Sequence, residues 1–322
     1  MRNSVCTEPP IVTIGILSSN ARRYLDRTIP AILSWIHPNH ELLVVDNGST
    51  DGTVEHLRGL VGLRIVCNGE NAGYGHGKNM LVSLARAEYV LLLDDDILIP
   101  TADVVSECLA FCVRHPETAF VSVPLVEPGS ERTPHYGLFF TEPKKGVTLE
   151  QLRSRPYFQV GGATGGLIFC RKSVFQQLGG YDTIYSCHID DFDLSARAYL
   201  QGWQIYTLTG VHAVHLGTER RLDTNRWAAR NAYHLCGFLR MILKNYTLPG
   251  ALFWAPVASV WILWKTISKY RETRNRKVLT SYVMSVSYFF RDLRDTLQRR
   301  TAIQTNRVVR EDIFRRVSSP WQ

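Results

Sequence analysis

The chain has 322 residues, of which 45% are hydrophobic and 20% are charged, a composition typical of a folded globular protein and not of a disordered one. Its formal net charge of +8 favours a polyanionic partner, which could be nucleotide phosphates, nucleic acid or an anionic membrane. The seven cysteines are an odd number without the spacing of a disulfide framework, and they favour a reducing compartment.

Over the first hundred residues, apolar runs that predict buried strands alternate with segments that predict helices. The predicted strands are Ile11–Leu17, Glu41–Val45, Leu63–Cys67 and Tyr89–Leu93, and the longer predicted helices are Tyr24–Trp35 and Lys78–Arg86. This alternation predicts an α/β fold with a doubly wound, mostly parallel, Rossmann-like sheet. Its functional loops are expected at the carboxyl ends of the strands.

The second half of the chain changes character near residue 226. Before that point we predict a glycine-rich turn that leads into a strand, two helices and a further strand: Gly161–Phe169, Lys172–Leu178, Asp190–Leu200 and Trp203–Leu208. From Arg226 to about Arg299 the sequence is helical in pattern, basic and aromatic. We therefore predict a catalytic or binding domain over residues 1–225 and a C-terminal helical appendage over residues 226–322.

Three consecutive carboxylates, Asp94, Asp95 and Asp96, directly follow the predicted strand Tyr89–Leu93. Clustered carboxylates repel one another, and a hard divalent cation such as Mg²⁺ or Mn²⁺ would neutralise them. Mg²⁺ usually takes one or two carboxylates and completes its shell with substrate phosphates. An acidic turn without a metal remains the alternative from these residues alone.

The segment 248–264 carries no charge and contains three tryptophans, and basic residues crowd both sides of it over 240–277. Seventeen residues lie at the lower limit for a membrane span, and three Pro and Gly residues interrupt the first half. A helix lying on an anionic membrane surface fits this pattern better than a span does. A face that packs against protein or a second copy is the other interpretation.

Six ordered motifs together resemble the family-2 glycosyltransferases with the GT-A fold, over about residues 11–217. They are the first strand with its polar turn, Val44–Gly52, Asn71–Asn79, Leu93–Asp96, the Gly-Gly turn at 161–166 and Asp190–Arg197. The resemblance, which is closest in type to rhamnosyltransferases, implies inverting transfer of a sugar. The implied donor is a nucleotide-diphosphate sugar, with UDP or dTDP favoured, and the implied acceptor is a hydroxyl group.

The resemblance places the nucleotide sugar at the ends of the first four strands. Asp46 would read the base, Asp95 would bind the ribose hydroxyls, and Asp94 would orient a neighbouring carboxylate. The glycines at positions 73, 75 and 77 would let the backbone approach the nucleotide. A dinucleotide-binding fingerprint is disfavoured there because these glycines follow the third strand and not the first. The full predicted nucleotide-sugar set is Ser18, Asn20, Asp46, Asn71, Gly73, Lys78, Asp94 and Asp95.

The resemblance also implies a metal, a base and an acceptor region. Asp96 would bind the metal, and His215 would complete the metal–diphosphate site. Zinc is disfavoured because His212, His215 and the Cys187-His188 pair lack the tight spacing of zinc sites. Asp191 would be the general base that takes the proton of the acceptor hydroxyl. The supporting and acceptor-side residues would be Gly165, Gly166, Asp190 and Asp193.

On this basis we expect a cytoplasmic glycosyltransferase, peripheral at the inner membrane face, that acts on a lipid-linked or cell-surface glycan precursor. Residues 1–10 are polar and the apolar run after them is short, so no secretory signal is expected. A soluble small-molecule acceptor and a non-catalytic nucleotide-sugar-binding scaffold are the alternatives. Nucleic acid is not an expected partner because no nucleic-acid-binding motif accompanies the positive charge. The oligomeric state does not follow from the sequence.

Overall fold

The computed structural model describes residues 9–129, 134–138, 149–185, 189–219 and 224–309. The described residues form two compact units. The sheet unit holds the described residues of 9–181 and 203–219, and the helical unit holds those of 182–202 and 224–309. The segment 182–202 therefore belongs with the C-terminal helices, which differs from the predicted boundary at residue 225.

In the first half of the chain the elements are β1 Val12–Ser18, α1 Arg22–Trp35, β2 His40–Asp46, α2 Thr53–Arg58, β3 Arg64–Cys67, α3 Tyr74–Leu84, β4 Tyr89–Asp94, β5 Ile97–Leu98, α4 Asp103–Arg114, β6 Thr118–Ser122 and β7 Leu125–Val126. In the second half they are α5 Leu149–Leu152, β8 Tyr157–Gln159, β9 Leu167–Arg171, α6 Lys172–Gln177, α7 Asp190–Leu200, β10 Gln204–Leu208, β11 Ala213–His215, a 3₁₀ turn at Leu216–Glu219, α8 Thr224–Asn245, α9 Leu248–Thr273, α10 Arg276–Arg291 and α11 Leu293–Thr305.

The main sheet has eight strands in the order β3-β2-β1-β4-β9-β6-β10-β8. Among the described strands of this sheet, six run in one direction, and β9 and β8 run against their neighbours. Every residue of β1 is buried, as expected for a central strand that is covered on both faces. The predicted α/β class with a mostly parallel sheet and a helical C-terminal region is confirmed.

Alternate residues of β1 face two different layers of helices. Ile14 and Ile16 join the cluster that contains the buried side chains of α1 and α4. On the other face a Cβ on Gly15 would lie 2.1 Å from a methyl carbon of Leu81 in α3. Glycine at position 15 thus lets α3 pack directly against the strand, and the sheet carries helices on both faces.

The glycine-rich segment after β3 is mostly helix, because α3 begins at Tyr74, four residues before the predicted helix start at Lys78. Gly73, with φ +94°, precedes α3, whereas Gly75 and Gly77 lie inside it. A Cβ on Gly77 would approach a methyl carbon of Leu17 to 2.5 Å. Close packing of α3 on β1 outweighs the low helix propensity of these glycines.

The strand register brings three polar strand ends to one edge of the sheet. Ser18 of β1 pairs with Asp46 of β2, and Leu17 of β1 pairs with Asp94 of β4. A second sheet in the order β5-β11-β7 lies beyond that edge. In it, His215 is the antiparallel partner of Ile97, which places the histidine beside the end of the triple Asp. The fold therefore collects side chains that are distant in sequence.

In the helical unit, α8 contacts each of the other four helices. Its apolar residues Leu235 and Leu239 pack with Ile262 of α9. A buried polar contact accompanies them, because the Asn231 amide donates to Thr266 Oγ1 (3.2 Å) and to Ser281 Oγ (2.9 Å). These contacts fix α9 and α10 to α8.

Within the described residues, α9 is the one helix that is long and apolar enough to cross a membrane. Only 17% of the most apolar 18-residue stretch of this helix is buried.

Candidate functional site

A cavity of about 240 Å³ opens at the carboxyl ends of β1, β2 and β4. Its lining residues are Leu17, Ser18, Ser19, Asn47, Asn71, Tyr74, Asp94, Asp95 and Asp96. Five of them were predicted as site residues. The other four, Leu17, Ser19, Asn47 and Tyr74, were not, although each stands next to a predicted residue in the sequence.

Asp94 is held by the helix that follows the glycine-rich segment. Lys78 of α3 has no exposed surface, and its Nζ lies 2.8 Å from Asp94 Oδ1. The Tyr74 hydroxyl donates to the same oxygen (3.1 Å) and also lies 2.9 Å from the Gly165 carbonyl oxygen. Lys78 belongs to the predicted nucleotide-sugar set. Its ammonium group fixes a carboxylate at the cavity, and Lys78 is not among the residues that line the cavity.

Asp95 accepts a hydrogen bond from the backbone N–H of Ser19 (3.1 Å). The pKa of Asp95 is raised to about 7, mainly by burial and also by the carboxylates of Asp94 and Asp96, whereas the Ser19 hydrogen bond and Lys78 oppose the change. Like charges held this close destabilise the ionised form. A cation or a hydrogen-bond donor in the cavity would stabilise the carboxylate.

Asp96 pairs with His215, whose Nε2 lies 3.4 Å from Asp96 Oδ2. This hydrogen bond raises the pKa of His215 above its ordinary value, against the effect of burial. The backbone N–H of Leu216 donates to the Asp96 carbonyl oxygen (2.8 Å) and holds the two segments together. The structure thus brings the two predicted metal ligands into contact.

Gly217 provides the space for the Asp96 carboxylate. A Cβ at position 217 would lie 1.9 Å from Asp96 Oδ2, much closer than two non-bonded atoms can approach. Sequence reasoning missed this glycine. The available signal was its place two residues after His215.

Across the residues that the structure describes, no three His, Cys, Asp or Glu side chains converge in a way that could hold a metal ion by themselves. Asp96 and His215 are nevertheless suited to a hard divalent cation, since such an ion commonly takes one or two protein ligands and completes its shell with phosphate oxygens. This donor set matches a cation that binds together with a diphosphate.

Besides Gly73 and Lys78, two predicted nucleotide residues, Asn20 and Asp46, are not among the residues that line the cavity. Asp46 is buried, and its carboxylate accepts hydrogen bonds from the backbone N–H (3.0 Å) and the hydroxyl of Ser49. Asn20, with φ +53°, accepts a hydrogen bond from the Thr50 backbone N–H (2.8 Å) through its side-chain oxygen. The Asn20 contact joins the turns after β1 and β2, and the Asp46 contacts fix the turn after β2.

Asn47 and Asn71 stabilise the cavity wall opposite the triple Asp. The Asn47 amide donates to Asn71 Oδ1 (3.1 Å) and to the Gly73 carbonyl oxygen (3.2 Å), and its oxygen accepts from the Ala72 N–H (3.2 Å). The Asn71 amide in turn donates to the Ser19 hydroxyl (3.3 Å). Asn47 is therefore a structural link from β2 to the segment before α3.

Gly165 and Gly166 lie where the chain enters β9. The Gly166 carbonyl oxygen accepts from the Asp94 backbone N–H (3.0 Å), and a Cβ at Gly166 would lie 3.2 Å from a methyl carbon of Ile97. With the contact between Tyr74 and Gly165, these glycines fix the end of β4. The backbone atoms of these two glycines therefore lie beside the cavity.

The remaining predicted residues are in the helical unit, on the first turn of α7. Asp190 and Asp193 are buried and Asp191 is half-buried. Asp190 Oδ1 accepts from the Asp191 backbone N–H (3.2 Å), a contact that fixes the start of the helix. The positive end of the α7 dipole favours carboxylates at these positions.

Asp193 is the centre of a buried charged cluster in the helical unit. Its carboxylate contacts Lys244 Nζ (2.9 Å), Arg197 Nε (2.9 Å), the Asn245 amide (2.9 Å) and the Tyr185 hydroxyl (3.0 Å). Burial alone would raise the pKa of Asp193, but Lys244 and Arg197 hold it well below its ordinary value. Lys244 and Asn245 belong to α8, so this cluster anchors α7 to α8.

The open, mostly parallel sheet with a polar cavity at its strand ends defines a ligand-binding α/β protein. The model of glycosyl transferase family 2 matches residues 13–179, and the chain belongs to that family. The predicted family is confirmed.

Two bacterial relatives illustrate the similarity. The chain is 25% identical over 220 residues to the N-acetylglucosaminyl-diphospho-decaprenol L-rhamnosyltransferase of Mycobacterium tuberculosis. The aligned region covers 60% of this chain and 71% of the relative. It is 34% identical over 91 residues to the putative teichuronic acid biosynthesis glycosyltransferase TuaG of Bacillus subtilis. Here the aligned region covers 27% of this chain and 36% of TuaG. The matched region thus spans about a third of TuaG's length, and it spans 30% of an uncharacterized glycosyltransferase of Haemophilus influenzae.

Solved structures show the same GT-A fold. The mannosyltransferase PcManGT from Pyrobaculum calidifontis, in complex with GDP-Man and Mn²⁺, superposes with a TM-score of 0.56 at 19% identity, covering 90% of this chain and 88% of PcManGT. S. aureus TarS 1–349 superposes with a TM-score of 0.51 at 15% identity, covering 92% of this chain and 90% of TarS 1–349. The predicted GT-A fold is confirmed.

Proposed function

We propose that this protein transfers a sugar, with inversion, from a nucleotide-diphosphate sugar to a hydroxyl acceptor. The observation that carries the proposal is the cavity of about 240 Å³ at the strand ends, which is lined by Asp95 and by Asp96, the partner of His215. Membership of glycosyl transferase family 2 supports it.

The donor nucleotide would lie against Ser18, Asn71, Asp94 and Asp95, with UDP or dTDP as the favoured type. Asp95 would accept hydrogen bonds from the ribose hydroxyls, which would stabilise its ionised form. Asp46 would read the base only if the nucleotide replaced part of its contact with Ser49. Lys78 would act indirectly by holding Asp94, and Gly73 would keep the adjoining turn open.

Asp96 and His215 would hold Mg²⁺ or Mn²⁺, which would neutralise the donor diphosphate and the charge that develops on it as the sugar leaves. Two facts support this metal site. The Asp96 and His215 side chains are in contact, and the Asp96 carboxylate supplies a hard oxygen donor. Two similar structures, the PcManGT complex with GDP-Man and GalNAc-T7 with UDP and GalNAc, also contain Mn²⁺.

Asp191 would take the proton from the acceptor hydroxyl while that oxygen attacks the anomeric carbon. Asp190 would fix the first turn of α7, and the buried Asp193 cluster would hold the helix in place. The half-buried position of Asp191 supports this role because a general base must reach its proton.

The acceptor would be a lipid-linked or cell-surface glycan precursor, which would place the enzyme in the cytoplasm at the inner membrane face. The relatives named for decaprenol-linked rhamnosyl transfer and teichuronic acid biosynthesis support this class. Gly165 and Gly166 would shape the acceptor side of the cavity with their backbone atoms.

The direct test is calorimetric binding of UDP, dTDP, GDP and CDP, with and without Mn²⁺, to the wild type and to Asp96→Ala. We expect Mn²⁺-dependent binding of a uridine or thymidine diphosphate, weakened about 100-fold or more in Asp96→Ala, because the metal and the diphosphate would bind together. Glu107→Ala, which removes an exposed carboxylate from α4, is the matched control and should bind normally. Equal binding by Asp96→Ala and the control would contradict the proposal.

A further inference from the structure

We propose that α9 and α10 form a docking surface for an anionic lipid bilayer, with both helices lying along its headgroup region. The proposal concerns the helical unit alone and does not require the proposed activity. It selects one of the interpretations that the sequence left open for the segment 248–264.

An apolar stripe runs along the exposed side of α9. Phe253, Val257, Val260 and Trp264 are spaced by four, three and four residues, so they lie on one face of the helix. Their exposed fractions are 60%, 45%, 67% and 64%. The opposite face carries the buried residues of α9, including Ile262. The helix therefore packs on its neighbours by one side and presents an apolar side outward.

A second apolar stripe runs along α10. Leu279, Val283 and Phe290 share a face by their spacing of four and seven residues, and they are 36%, 68% and 65% exposed. The buried residues Ser281 and Ser285 lie on the other side of the helix, where Asn231 of α8 contacts both. Two adjacent helices thus each leave an apolar face uncovered. Exposed apolar surface on this scale marks an interaction site in soluble proteins.

The charges around these stripes favour an anionic occupant. Residues 247–291 contain seven Lys and Arg residues and one acidic residue, Glu272. Most of the basic residues lie at the end of α9 and in the turn to α10, and Lys265 Nζ lies 3.6 Å from the centre of the Trp261 ring. Aromatic and basic residues side by side are typical of helices at a membrane interface. A second copy would bring an equally basic surface into contact with this one, which disfavours self-association.

The packing of α9 favours lying on the bilayer over crossing it. Ile262 packs with Leu235 and Leu239 of α8, and Thr266 accepts a hydrogen bond from Asn231. Lipid could therefore surround only part of the helix. The charge-free segment from Leu248 to Trp264 would extend about 25 Å as a helix, less than a hydrocarbon core of about 30 Å.

Flotation of the full chain with vesicles tests the proposal. We expect the wild type to bind vesicles that contain phosphatidylglycerol at least about tenfold more tightly than vesicles of pure phosphatidylcholine, and salt to weaken the binding. The variant Val260→Asp with Val283→Asp should bind about 100-fold more weakly, because it places a carboxylate in each of the two apolar stripes that would contact the bilayer. The variant Arg271→Gln with Lys277→Gln should lose most of the preference for the anionic vesicles.

A matched control carries the same change on the sheet unit. Val61→Asp with Val113→Asp replaces two valines that are 90% and 62% exposed, and it should bind vesicles like the wild type. Circular dichroism and nucleotide binding should be unchanged in all three variants, which separates this test from that of the proposed function. Absence of wild-type vesicle binding, or equal losses in the control, would overturn the proposal. A wild-type dimer that Val260→Asp with Val283→Asp dissociates, without vesicle binding, would assign the face to self-association instead.

Discussion

At the scale of single residues, the site depends on backbone positions that leave room for a carboxylate. Asp96 lies so close to Gly217 that any side chain at that position would collide with Asp96 Oδ2, because the added Cβ would be 1.9 Å away. The collision is with the group proposed to hold the metal. Relief would require the Asp96 carboxylate to leave its present position, in which it forms a hydrogen bond with His215.

We predict that Gly217→Ala weakens Mn²⁺-dependent nucleotide binding by about tenfold or more, since a shift of a ligand removes much of its contribution. Gly210→Ala is the control, because a Cβ at that glycine would meet no atom within 4 Å. Calorimetric titration of nucleotide with and without Mn²⁺ measures the effect. If Gly217→Ala bound nucleotide with unchanged Mn²⁺-dependent affinity, metal binding would not depend on the present position of the Asp96 carboxylate, and the prediction would be wrong.

At the scale of elements, α7 is held to α8 by a buried ionic cluster. Asp193 has no exposed surface and contacts Lys244 and Asn245 of α8 as well as Arg197 of its own helix. A second carboxylate, Asp182, also pairs with Lys244. Removal of one partner from such a cluster leaves another charge buried without compensation.

We predict that Asp193→Asn lowers the free energy of unfolding by about 3–5 kcal/mol at neutral pH. The folded-state pKa of Asp193 lies below the ordinary value of 3.8, so its contribution is complete above that value and is lost as the pH falls below it. The difference between the wild type and Asp193→Asn should therefore shrink as the pH falls below about 4. Urea unfolding across this pH range measures it.

The control for this prediction is Asp295→Asn, which breaks an exposed pair with Arg299 on α11. It should cost less than about 1 kcal/mol, because solvent screens surface pairs. An equal cost for both variants, or a difference from the wild type that does not depend on pH, would contradict the role given to Asp193.

The strands of the sheet's first half could be predicted from the sequence because their apolar runs are local signals. Tyr89–Asp94 is one such strand, and the three carboxylates Asp94, Asp95 and Asp96 at its end were identified from the same pattern. Strand β6, Thr118–Ser122, was not predicted separately, because it is a short run within an irregular region. The buried pairing of Lys78 with Asp94 could not be predicted either, since it depends on how α3 packs against the sheet. Long-range packing also made Gly75 and Gly77 helical.

At the scale of the whole molecule, the sequence pattern and the packing divide the chain differently. Composition changes near residue 226, but the compact helical unit also includes 182–202. The acidic motif at the start of α7 therefore belongs to the same unit as the apolar stripes of α9 and α10. Contacts such as that between Asp193 and Lys244 explain this grouping, and a composition shift along the chain cannot reveal them. The C-terminal helices are thus more than an appendage, because they hold the helix that carries the proposed base.

The most direct test of the account is sugar transfer by Asp191→Asn compared with the wild type. The donor would be the one that the nucleotide panel selects, and labelled sugar would be followed into lipid-linked and soluble hydroxyl acceptors. We predict that Asp191→Asn binds the nucleotide like the wild type but transfers sugar about 100 to 10,000 times more slowly, because it lacks a general base. Glu272→Gln, an exposed acidic residue of α9, should transfer normally. Undiminished transfer by Asp191→Asn would contradict the account.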